Sequence, residues 1–461
     1  MERTKARWRS RAAVAGLPAP VAAEALSPWR RSSDIEKLCA GELDILVVGG
    51  GVVGAGAALD ATTRGFATGL IEARDWASGT SSRSTKLVHG GLRYLQMLDF
   101  RLVREALKER DLLLRRLAPH LVRPVPVLYP LRNYFFERVY VGAGVALYDL
   151  LGWSIGGSRE LPRHRHLSKR STLEATPGLR ATAVTGAVRY YDAQVDDARL
   201  VLELVRTAVS YGATAQNRMR LTGFLRAGSR VSGARVTDTE TGQEHEVRAR
   251  VTVVATGAWT EETEALALEG NGALVRPSKG THLVVPAAAI ESSTGLILRT
   301  KRSVLFVLPW GPHWLIGTTD TDWPYDKDNP LATAADIEYL LGEINSVLDR
   351  PVRRSDIEAV FAGLRPLVAG VGVVRGPGDM RRGDGASADV ATTKLSREHA
   401  VTSPVPGLVV VSGGKYTTYR VMAVDAVDTA VRFLGLSTDL PSQTERIPLL
   451  GARNFADLWE G

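Results

Sequence analysis

The chain has very little cysteine and no long apolar run. Cys39 is the only cysteine among 461 residues, which excludes disulfides and thiolate metal sites within one chain and fits a reducing compartment. No apolar run reaches the roughly 18 residues that a membrane-spanning helix needs. The nearest, residues 139–151, contains two glycines and Asp149. No apolar core follows the basic N-terminal segment, so we expect no secretory signal.

The charge balance is basic. Lys and Arg number 58 against 50 Asp and Glu, and the net charge of +8 favours an anionic partner. Such a partner is a phosphorylated substrate, an anionic lipid or a nucleic acid. Residues 1–41 concentrate Ala, Arg and Pro, and we interpret them as a mobile basic arm, either solvated or touching a membrane surface. No recognition motif for nucleic acid occurs, so we do not expect that partner.

Residues 44–72 carry the most specific local pattern. An apolar strand pattern leads into Gly49, Gly51 and Gly54, in the spacing G-x-G-x-x-G, and a helical pattern and a second strand pattern follow. These glycines allow a tight turn, close approach of a pyrophosphate and close helix–strand packing. Glu72 ends the second strand, where an acid can accept hydrogen bonds from ribose hydroxyls. The order of these parts predicts a dinucleotide site.

Two further segments agree with a flavin nucleotide. Residues 73–95, ARDWASGTSSRSTKLVHGGLRYL, are dense in small hydroxyl residues and suit a loop around a pyrophosphate and an isoalloxazine ring. A polar surface loop is the alternative. The apolar strand pattern of residues 251–259 ends in Ala-Thr-Gly, which allows a second close approach to the cofactor. Together with the glycine turn, this strand end favours a flavin over a nicotinamide.

The segment SGGKYTTYR, from Ser412, is a third candidate contact. It predicts a glycine turn that leads into a helix with Lys415 and Thr418 at its N-terminus, where negative charge is stabilised. A plain strand–turn–helix is the alternative. Upstream, Asp196 has the position of a helix N-cap, and we expect capping rather than catalysis from Asp196 and Asp197.

The aromatic segment of residues 133–153 allows two interpretations. Its aromatic and basic side chains suit contact with a bilayer or with a hydrophobic electron acceptor. Packing into the core of a second domain is the alternative.

Taken together, these motifs resemble the FAD-dependent, respiratory glycerol-3-phosphate dehydrogenases. The matching segments lie between residues 44 and 433, and their sequences include GGGVVGAGAALDATTRG, GTSSRSTKLVHGGLRYL, VDDARLV, ATGAW, KGTHLVVP, IGTTDTD, AGLRPL, SREHAV and GGKYTTYR. The resemblance implies an α/β protein with a Rossmann-type FAD-binding domain, interleaved with a substrate domain on a mixed or antiparallel sheet. Glycine and D-amino-acid oxidases share this fold.

The resemblance also implies a reaction and its partners. Members of this family oxidise sn-glycerol 3-phosphate to dihydroxyacetone phosphate by hydride transfer to FAD and pass the electrons to a membrane quinone. We therefore expect a cytoplasmic protein peripherally associated with the inner face of the plasma membrane, in contact with anionic lipid, and a homodimer. An oxidase on the same scaffold that uses O₂, with glycerol 3-phosphate or an amine or amino acid as substrate, is an alternative. A non-catalytic truncated flavoprotein is another.

Site residues follow from the matched motifs. The resemblance implies that the FAD-binding residues are Gly49, Gly51, Val52, Val53, Gly54, Glu72, Ala73, Thr80, Ser81, Ser82, Lys86, Leu87, Gly257, Gly414, Lys415 and Thr418. It implies that the substrate-binding residues are Arg93, Tyr94, Lys279, His282, Arg365 and Arg397, and that the catalytic residues are His282, Arg93, Arg365 and Lys415. We interpret His282 as the base for the substrate hydroxyl, because histidine titrates near neutral pH. His89 is the rival.

The sequence also departs from the family pattern. Arg83 stands where the family often has Ala, and Tyr416 where it often has Leu, so the flavin environment or acceptor choice could differ. We divide the chain into an FAD-binding domain of residues 42–118, 188–275 and 385–435 and a substrate domain of residues 119–187 and 276–384. Residues 436–461 would begin a C-terminal region that is truncated relative to the family.

Overall fold

The computed structural model describes residues 26–91, 99–133, 136–154, 161–268, 275–300, 304–368, 399–436 and 440–455. Its strands, in chain order, are β1 Glu42–Val48, β2 Thr68–Ile71, β3 Leu87–Val88, β4 Arg123–Leu131, β5 Arg165–Ser168, β6 Gly186–Gln194, β7 Thr214–Gln216, β8 Met219–Ala227, β9 Arg230–Asp238, β10 Glu244–Val254, β11 Val275–Pro286, β12 Gly295–Arg299, β13 Val304–Trp310, β14 His313–Gly317, β15 Thr321–Asp322, β16 Ala359–Val368, β17 His399–Thr402 and β18 Leu408–Gly413. Its helices are α1 Arg31–Cys39, α2 Val52–Thr63, α3 Phe100–Leu112, α4 Phe136–Ser154, α5 Lys169–Ala175, α6 Asp197–Ser210, α7 Thr260–Ala265, α8 Ala334–Asn345 and α9 Tyr419–Phe433.

The first sheet has a parallel centre. Strands β18, β10, β1, β2 and β7 lie side by side in that order and run parallel, while β17 pairs antiparallel with β18. The antiparallel strands β8 and β9 extend the sheet from the first half of β10. The glycine turn therefore follows a strand with parallel neighbours on both sides, which is the position of the nucleotide site in doubly wound folds.

Alternation along β1 explains why both faces of the first sheet are covered. Ile45 and Val47 pack with α2, α6 and α9 in one apolar cluster, and Leu46 and Val48 pack with α1 and with β8–β10 in another. Small residues in α2 let it lie between α6 and α9; a Cβ on Gly56 would lie 2.9 Å from the Tyr419 ring. Burial on both faces is typical of a parallel strand rich in Val, Ile and Leu.

The second sheet is mixed and mostly antiparallel. Its order is β15-β11-β14-β13-β12-β4-β6-β3, with β16 on β11 and β5 on β6. Only β12 and β4 are parallel among these pairs of described strands. Helix α8 packs on one part of the sheet, and α3 and α4 pack on another. A mixed α/β protein with two sheets confirms the predicted fold class.

The N-terminal region differs in part from the expected arm. Residues 1–25 lie outside the described residues, but α1 is a helix whose Ile35 and Leu38 are buried against the first sheet. The expectation of a mobile arm through residue 41 is therefore wrong for α1. The reason is that its two apolar side chains pack against Leu46 and Val48 on one face of the first sheet.

The proposed domain division stays a prediction. Two strands that it assigns to the FAD-binding domain pair in the second sheet. Strand β3 and most of β6 fall within residues that we assigned to the FAD-binding domain, but both pair in the second sheet. The reason is that β6 carries the chain back from the second sheet to α6, which packs on the first.

Helix α4, which covers most of the aromatic segment, is buried on one side and exposed on the other, and its contact with a bilayer or an electron acceptor stays a prediction. Val145 and Tyr148 are buried against the second sheet, whereas Val139, Tyr140 and Leu150 are exposed. Among the helices within the described ranges, none has the length and hydropathy to cross a bilayer.

Candidate active site

The glycine turn lies where β1 ends beside two parallel neighbours. Gly49 has a φ of +113°, and a Cβ there would lie 2.5 Å from the carbonyl oxygen of Ala255, just beyond β10. A Cβ on Gly54 would lie 1.8 Å from the carbonyl oxygen of Gly49. Both positions therefore require glycine. Helix α2 starts directly after the turn, so its first N–H groups point to the space at the strand ends, where an anion is favoured.

Glu72 braces this turn from the end of β2. Its carboxylate accepts hydrogen bonds from the backbone N–H of Gly50, at 2.6 Å, and of Arg74, at 2.9 Å. Burial raises the pKa of Glu72 and outweighs these two bonds, which lower it. The ribose contact that we expect from Glu72 remains a prediction.

A cavity of about 840 Å³ opens at the glycine turn. Its size falls within the range of about 300–1,000 Å³ that is typical of cofactor sites. The predicted FAD-binding residues that line it are Gly49, Gly51, Val52, Val53, Glu72, Ala73, Thr80, Ser81, Gly257, Gly414 and Lys415. Gly54, Ser82, Lys86, Leu87 and Thr418 are not part of the lining. Segments from four distant parts of the chain thus meet at one cavity.

Two ion pairs lie in the lining of this cavity. The loop of residues 323–328, which follows β15, reaches from the second sheet to the first. Lys327 pairs with Glu262 of α7 at 2.5 Å, and Asp328 pairs with Arg74 at 3.4 Å. All four charged residues line the cavity. This loop, with its two ion pairs, is called the strap below.

His282 lies in β11 of the second sheet and is almost fully buried. Its ring stacks on Phe361 of β16, with ring centroids 4.8 Å apart, and its Nε2 is 3.0 Å from Thr85 Oγ1. Nδ1 has no hydrogen-bond partner among the described residues. Burial, and then the charges of Arg365 and Lys86, lower the pKa of His282 to about 3. The ring is therefore neutral at pH 7.

Arg365 lies four residues after Phe361 in β16. Its guanidinium group donates to Thr319 O at 3.1 Å and to Thr318 Oγ1 at 2.9 Å, and lies 3.6 Å from Asp320. About a quarter of the side chain is exposed (23%). The group is thus held in place but still accessible.

His282 and Arg365 share one face of the second sheet. Phe361 lies opposite His282 across β11 and β16, and Ser278 lies opposite Arg365, so even spacing in both strands puts these side chains on one side. The loop that lines the cavity reaches this face: a Cβ on Gly363, two residues before Arg365, would lie 2.7 Å from Arg83 O, and Ser81 and Ser84 of that loop line the cavity. His282 and Arg365 themselves are not part of the lining.

Lys279 lies on the opposite face of β11, because it is three positions from His282 and side chains alternate along a strand. Its ammonium group pairs with Asp336 of α8 at 2.6 Å, donates to Leu331 O, and lies over the ring of Trp323. This placement differs from the substrate contact that we expected. The buried ammonium group ties β11 to the N-terminus of α8 instead.

Comparison with known proteins decides the family. The family described as FAD dependent oxidoreductase matches residues 44–419. The glycerol-3-phosphate dehydrogenase of Mycobacterium leprae is 51% identical over 433 residues, 94% of this chain and 70% of that protein. The chain belongs to the FAD-dependent glycerol-3-phosphate dehydrogenase family.

Two further members of this family agree. The human mitochondrial glycerol-3-phosphate dehydrogenase is 41% identical, with 90% of this chain and 56% of its own length matched. The solved structure of the glycerol-3-phosphate dehydrogenase from Bacillus halodurans, complexed with FAD, superposes with a TM-score of 0.73 at 30% identity and covers 94% of this chain and 73% of that one.

The cofactor of this dehydrogenase family is FAD, and the cavity fits it. At Gly51 a Cβ would approach only Ser81 Oγ, at 3.2 Å, so the backbone there is open to a close ligand. Thr256 Oγ1 is buried in the lining and has no hydrogen-bond partner among the described residues, and a Cβ on Gly257 would meet open space. Ser81 Oγ accepts from the N–H of Val52 at 3.0 Å and so fixes the loop at the start of α2.

Several predicted residues remain outside this geometry. Arg93, Tyr94 and Arg397 lie outside the described residues, so their place in the dehydrogenase site stays a prediction. The rival base His89 donates its backbone N–H to Thr417 Oγ1 at 3.2 Å, and its ring meets Phe306 edge-on with centroids 6.0 Å apart.

Three residues that contact His282 or Lys86 were not predicted as site residues. Thr85 binds its ring, Phe361 stacks on it, and buried Asp197 pairs with Lys86. For Phe361 a signal was present: its spacing of four from Arg365 in a strand pattern predicts a shared face. Thr85 and Asp197 left no such signal, because their contacts depend on segments far apart in the chain.

Proposed function

We propose that this chain oxidises sn-glycerol 3-phosphate at C2 and yields dihydroxyacetone phosphate. The observation that carries the proposal is the shared face of His282 and Arg365, which the loop that lines the FAD cavity reaches. This face offers a neutral imidazole and a fixed guanidinium group, which suit an alcohol and a phosphate on one small molecule. Relatives with 51% and 41% identity are named for this substrate.

Arg365 binds the phosphate in this proposal. Its planar fork can donate to two oxygens of a dianion at once. Thr318 and Thr319 already orient the guanidinium group, so little side-chain freedom is lost on binding. Arg93 and Arg397 would add further positive charge, as the family resemblance implies.

His282 takes the proton of the C2 hydroxyl. With its own proton on Nε2, the ring donates to Thr85 and leaves the Nδ1 lone pair as the acceptor. A phosphate dianion nearby would raise the pKa of His282 from its low value and strengthen this base. As the hydroxyl proton goes to His282 and a hydride leaves C2, the C–O single bond becomes a carbonyl. FAD, when bound, supplies the acceptor for that hydride and the donor for the next electron carrier.

Lys415 stabilises negative charge beside the cofactor in this proposal. It lines the cavity and precedes a 3-10 turn and α9, so its charge adds to that helix N-terminus. Its loss is expected to lower kcat more than it raises KM.

We further propose that the electron acceptor is a membrane quinone at the inner face of the plasma membrane. The exposed Val139, Tyr140 and Leu150 of α4 and the net charge of +8 support docking on an anionic bilayer.

An anaerobic visible spectrum of the FAD-loaded protein tests the oxidation. Addition of sn-glycerol 3-phosphate should bleach the flavin band near ~450 nm. A band that persists with this substrate would overturn the proposal, and bleaching by an amine or amino acid instead would point to the oxidase alternative.

The acceptor needs a separate test. Turnover should require a soluble quinone analogue and should form little peroxide in air, and the protein should co-sediment with vesicles that contain anionic phospholipid. Peroxide formed stoichiometrically with the product would show that O₂ is the acceptor and would contradict the quinone proposal.

A further inference from the structure

Asp197, the first residue of α6, makes more contacts than a helix cap needs. The neighbouring Asp196 is the N-cap, and its side chain accepts from the N–H of Arg199 at 3.1 Å. Asp197 is fully buried; its Oδ2 accepts from the N–H of Ser84 at 2.9 Å, and its Oδ1 forms an ion pair with Lys86. Its carboxylate therefore fixes residues 84–86, the end of the loop that lines the cavity.

The ammonium group of Lys86 is held in a defined place by this pair. It also donates to Ser82 O at 2.8 Å, and only 12% of the side chain is exposed. It lies 5.8 Å from the ring centroid of Phe361 and 5.7 Å from that of Trp310. Since Phe361 stacks on His282, a fixed positive charge lies next to the ring that we assign as the base.

Tyr416 connects the same aspartate to the cofactor cavity. Its hydroxyl donates to the backbone carbonyl oxygen of Asp197 at 2.6 Å, and its ring lines the cavity. Tyr416 stands where the family often has Leu, which has no hydroxyl. This chain therefore has an additional hydrogen bond between the cavity wall and the first turn of α6.

We propose that Asp197 is a positioning residue for the oxidation: it holds the Lys86 ammonium group beside the His282–Phe361 stack and thereby keeps His282 a neutral proton acceptor. This inference rests on the proposed role of His282. A second positive charge close to a fixed one is unfavourable, so the imidazole stays neutral until substrate brings negative charge.

The other charges around His282 do not replace Lys86. From β16 the ring faces Arg365, whose charge is partly offset by Asp320. From the loop before β3 it faces Lys86, whose partner Asp197 lies at the start of α6. Both cations, after burial, lower the pKa of His282. Removal of Lys86 would leave Arg365 as the remaining cation among those that act on the ring in the described part of the chain.

The test is an NMR titration of the histidine rings in FAD-loaded protein, with inorganic phosphate as the probe. Phosphate should bring the midpoint of His282 into the measurable range. In Lys86→Met this midpoint should rise by about one pKa unit relative to the wild type. In Asp197→Asn it should also rise, because the ammonium group that Asp197 held beside the ring is released and moves away. Lys86→Arg keeps the charge and should restore the wild-type midpoint.

Asp196→Asn is the matched control. It makes the same chemical change one residue earlier, keeps a good N-cap, and does not touch Lys86. Should the unpaired ammonium group of Asp197→Asn prevent folding, Asp197→Glu keeps the negative charge but displaces the carboxylate, and it should move the midpoint part of the way toward that of Lys86→Met.

Kinetics separate positioning from mere folding. Per bound flavin, the acid limb of kcat/KM should move to higher pH in Lys86→Met and Asp197→Asn, and not in Asp196→Asn. An equal loss at every pH with the His282 midpoint unmoved by Lys86→Met, or a midpoint unmoved by Asp197→Asn, would overturn this inference. No response of His282 to phosphate in the wild type would instead contradict the proposed function.

Discussion

The carboxylate of Glu72 accepts a hydrogen bond from the backbone N–H of Gly50, with the two atoms 2.6 Å apart. A partly buried acid at the end of one strand thus fixes the glycine turn at the end of its parallel neighbour. The turn has few side chains of its own to hold its shape, so this acid shapes the phosphate site as well as facing the expected ribose.

Replacement of Glu72 by Ala should weaken FAD binding by at least tenfold. Two hydrogen bonds to a carboxylate are lost, and each contributes about 1.5–3 kcal/mol. Glu72→Gln keeps one accepting oxygen, so its affinity for FAD should lie between those of the wild type and of Glu72→Ala. FAD titration of the apoprotein, followed by flavin fluorescence, gives the affinities. Glu240→Ala, which removes an exposed carboxylate that pairs with Arg31, is the control. Wild-type affinity in Glu72→Ala would contradict the bracing role.

Replacement of Arg365 by Ala should lower kcat/KM for sn-glycerol 3-phosphate by about 10–100-fold, mainly through KM. The reason is the loss of a charge-assisted contact of about 1.5–3 kcal/mol with the phosphate. Arg365→Lys should recover part of the lost kcat/KM, since lysine keeps the positive charge but lacks the planar guanidinium group that binds two oxygens at once. Steady-state kinetics at equal flavin content measure the change. Arg354→Ala, at an exposed pair with Glu338, should have no effect. An unchanged kcat/KM in Arg365→Ala would remove Arg365 from the site.

His282 should make the protein less stable in acid. Its pKa is lowered to about 3 in the folded chain, against about 6.5 when unfolded. Between these values the unfolded chain binds the extra proton, so stability falls as pH decreases through this window. From pH 7 to pH 5 this group alone should cost about 2 kcal/mol.

Urea unfolding at pH 7 and pH 5 checks this. Between pH 7 and pH 5, the free energy of unfolding should fall by about 2 kcal/mol less in His282→Asn than in the wild type. Phe361→Leu removes the stacked ring but keeps the histidine, so it separates packing from titration. A loss as large in His282→Asn as in the wild type would show that His282 does not titrate in this window.

The strap should slow the release of FAD. Its two pairs, Lys327–Glu262 and Asp328–Arg74, are partly exposed, so each should contribute about 0.2–1 kcal/mol at low salt. Lys327→Gln with Asp328→Asn should therefore speed FAD release several-fold at low salt. Near 1 M salt the difference should vanish, because the Debye length is only about 3 Å.

Stopped-flow fluorescence of released flavin measures this rate, and Arg354→Gln is a control that removes a pair elsewhere. A release rate that is the same in the double variant and the wild type at low salt would show that the pairs do not retain the cofactor.

Sequence patterns predict the parts of this molecule that depend on local chemistry. Backbone geometry restricts the residue type at some positions, and the sequence predicts those positions well. Examples are the glycine turn, the acid that ends β2 and the N-cap at Asp196. Local patterns do not show every change of helix type: α3 ends at Leu112, and residues 113–117 continue it as a π-helix.

Contacts between distant segments were harder to predict. The opposite orientations of Lys279 and His282 in β11 follow from strand alternation, but only once both are known to lie in one regular strand. The Lys86–Asp197 pair joins residues 111 positions apart, and nothing in either local pattern shows this. Asp197 looked like a helix-start residue because α6 does start there.

The parallel order of β18, β10 and β1 has a consequence for synthesis on the ribosome. The glycine turn is made early, but the opposite wall of its cavity includes Val411, Gly414 and Met422. Because chains emerge from the N-terminus at about 5–20 residues per second, the first half of the nucleotide fold must wait tens of seconds for its partner strands. The full lining of the FAD cavity is therefore available only late in synthesis, after β18 and the start of α9 have emerged.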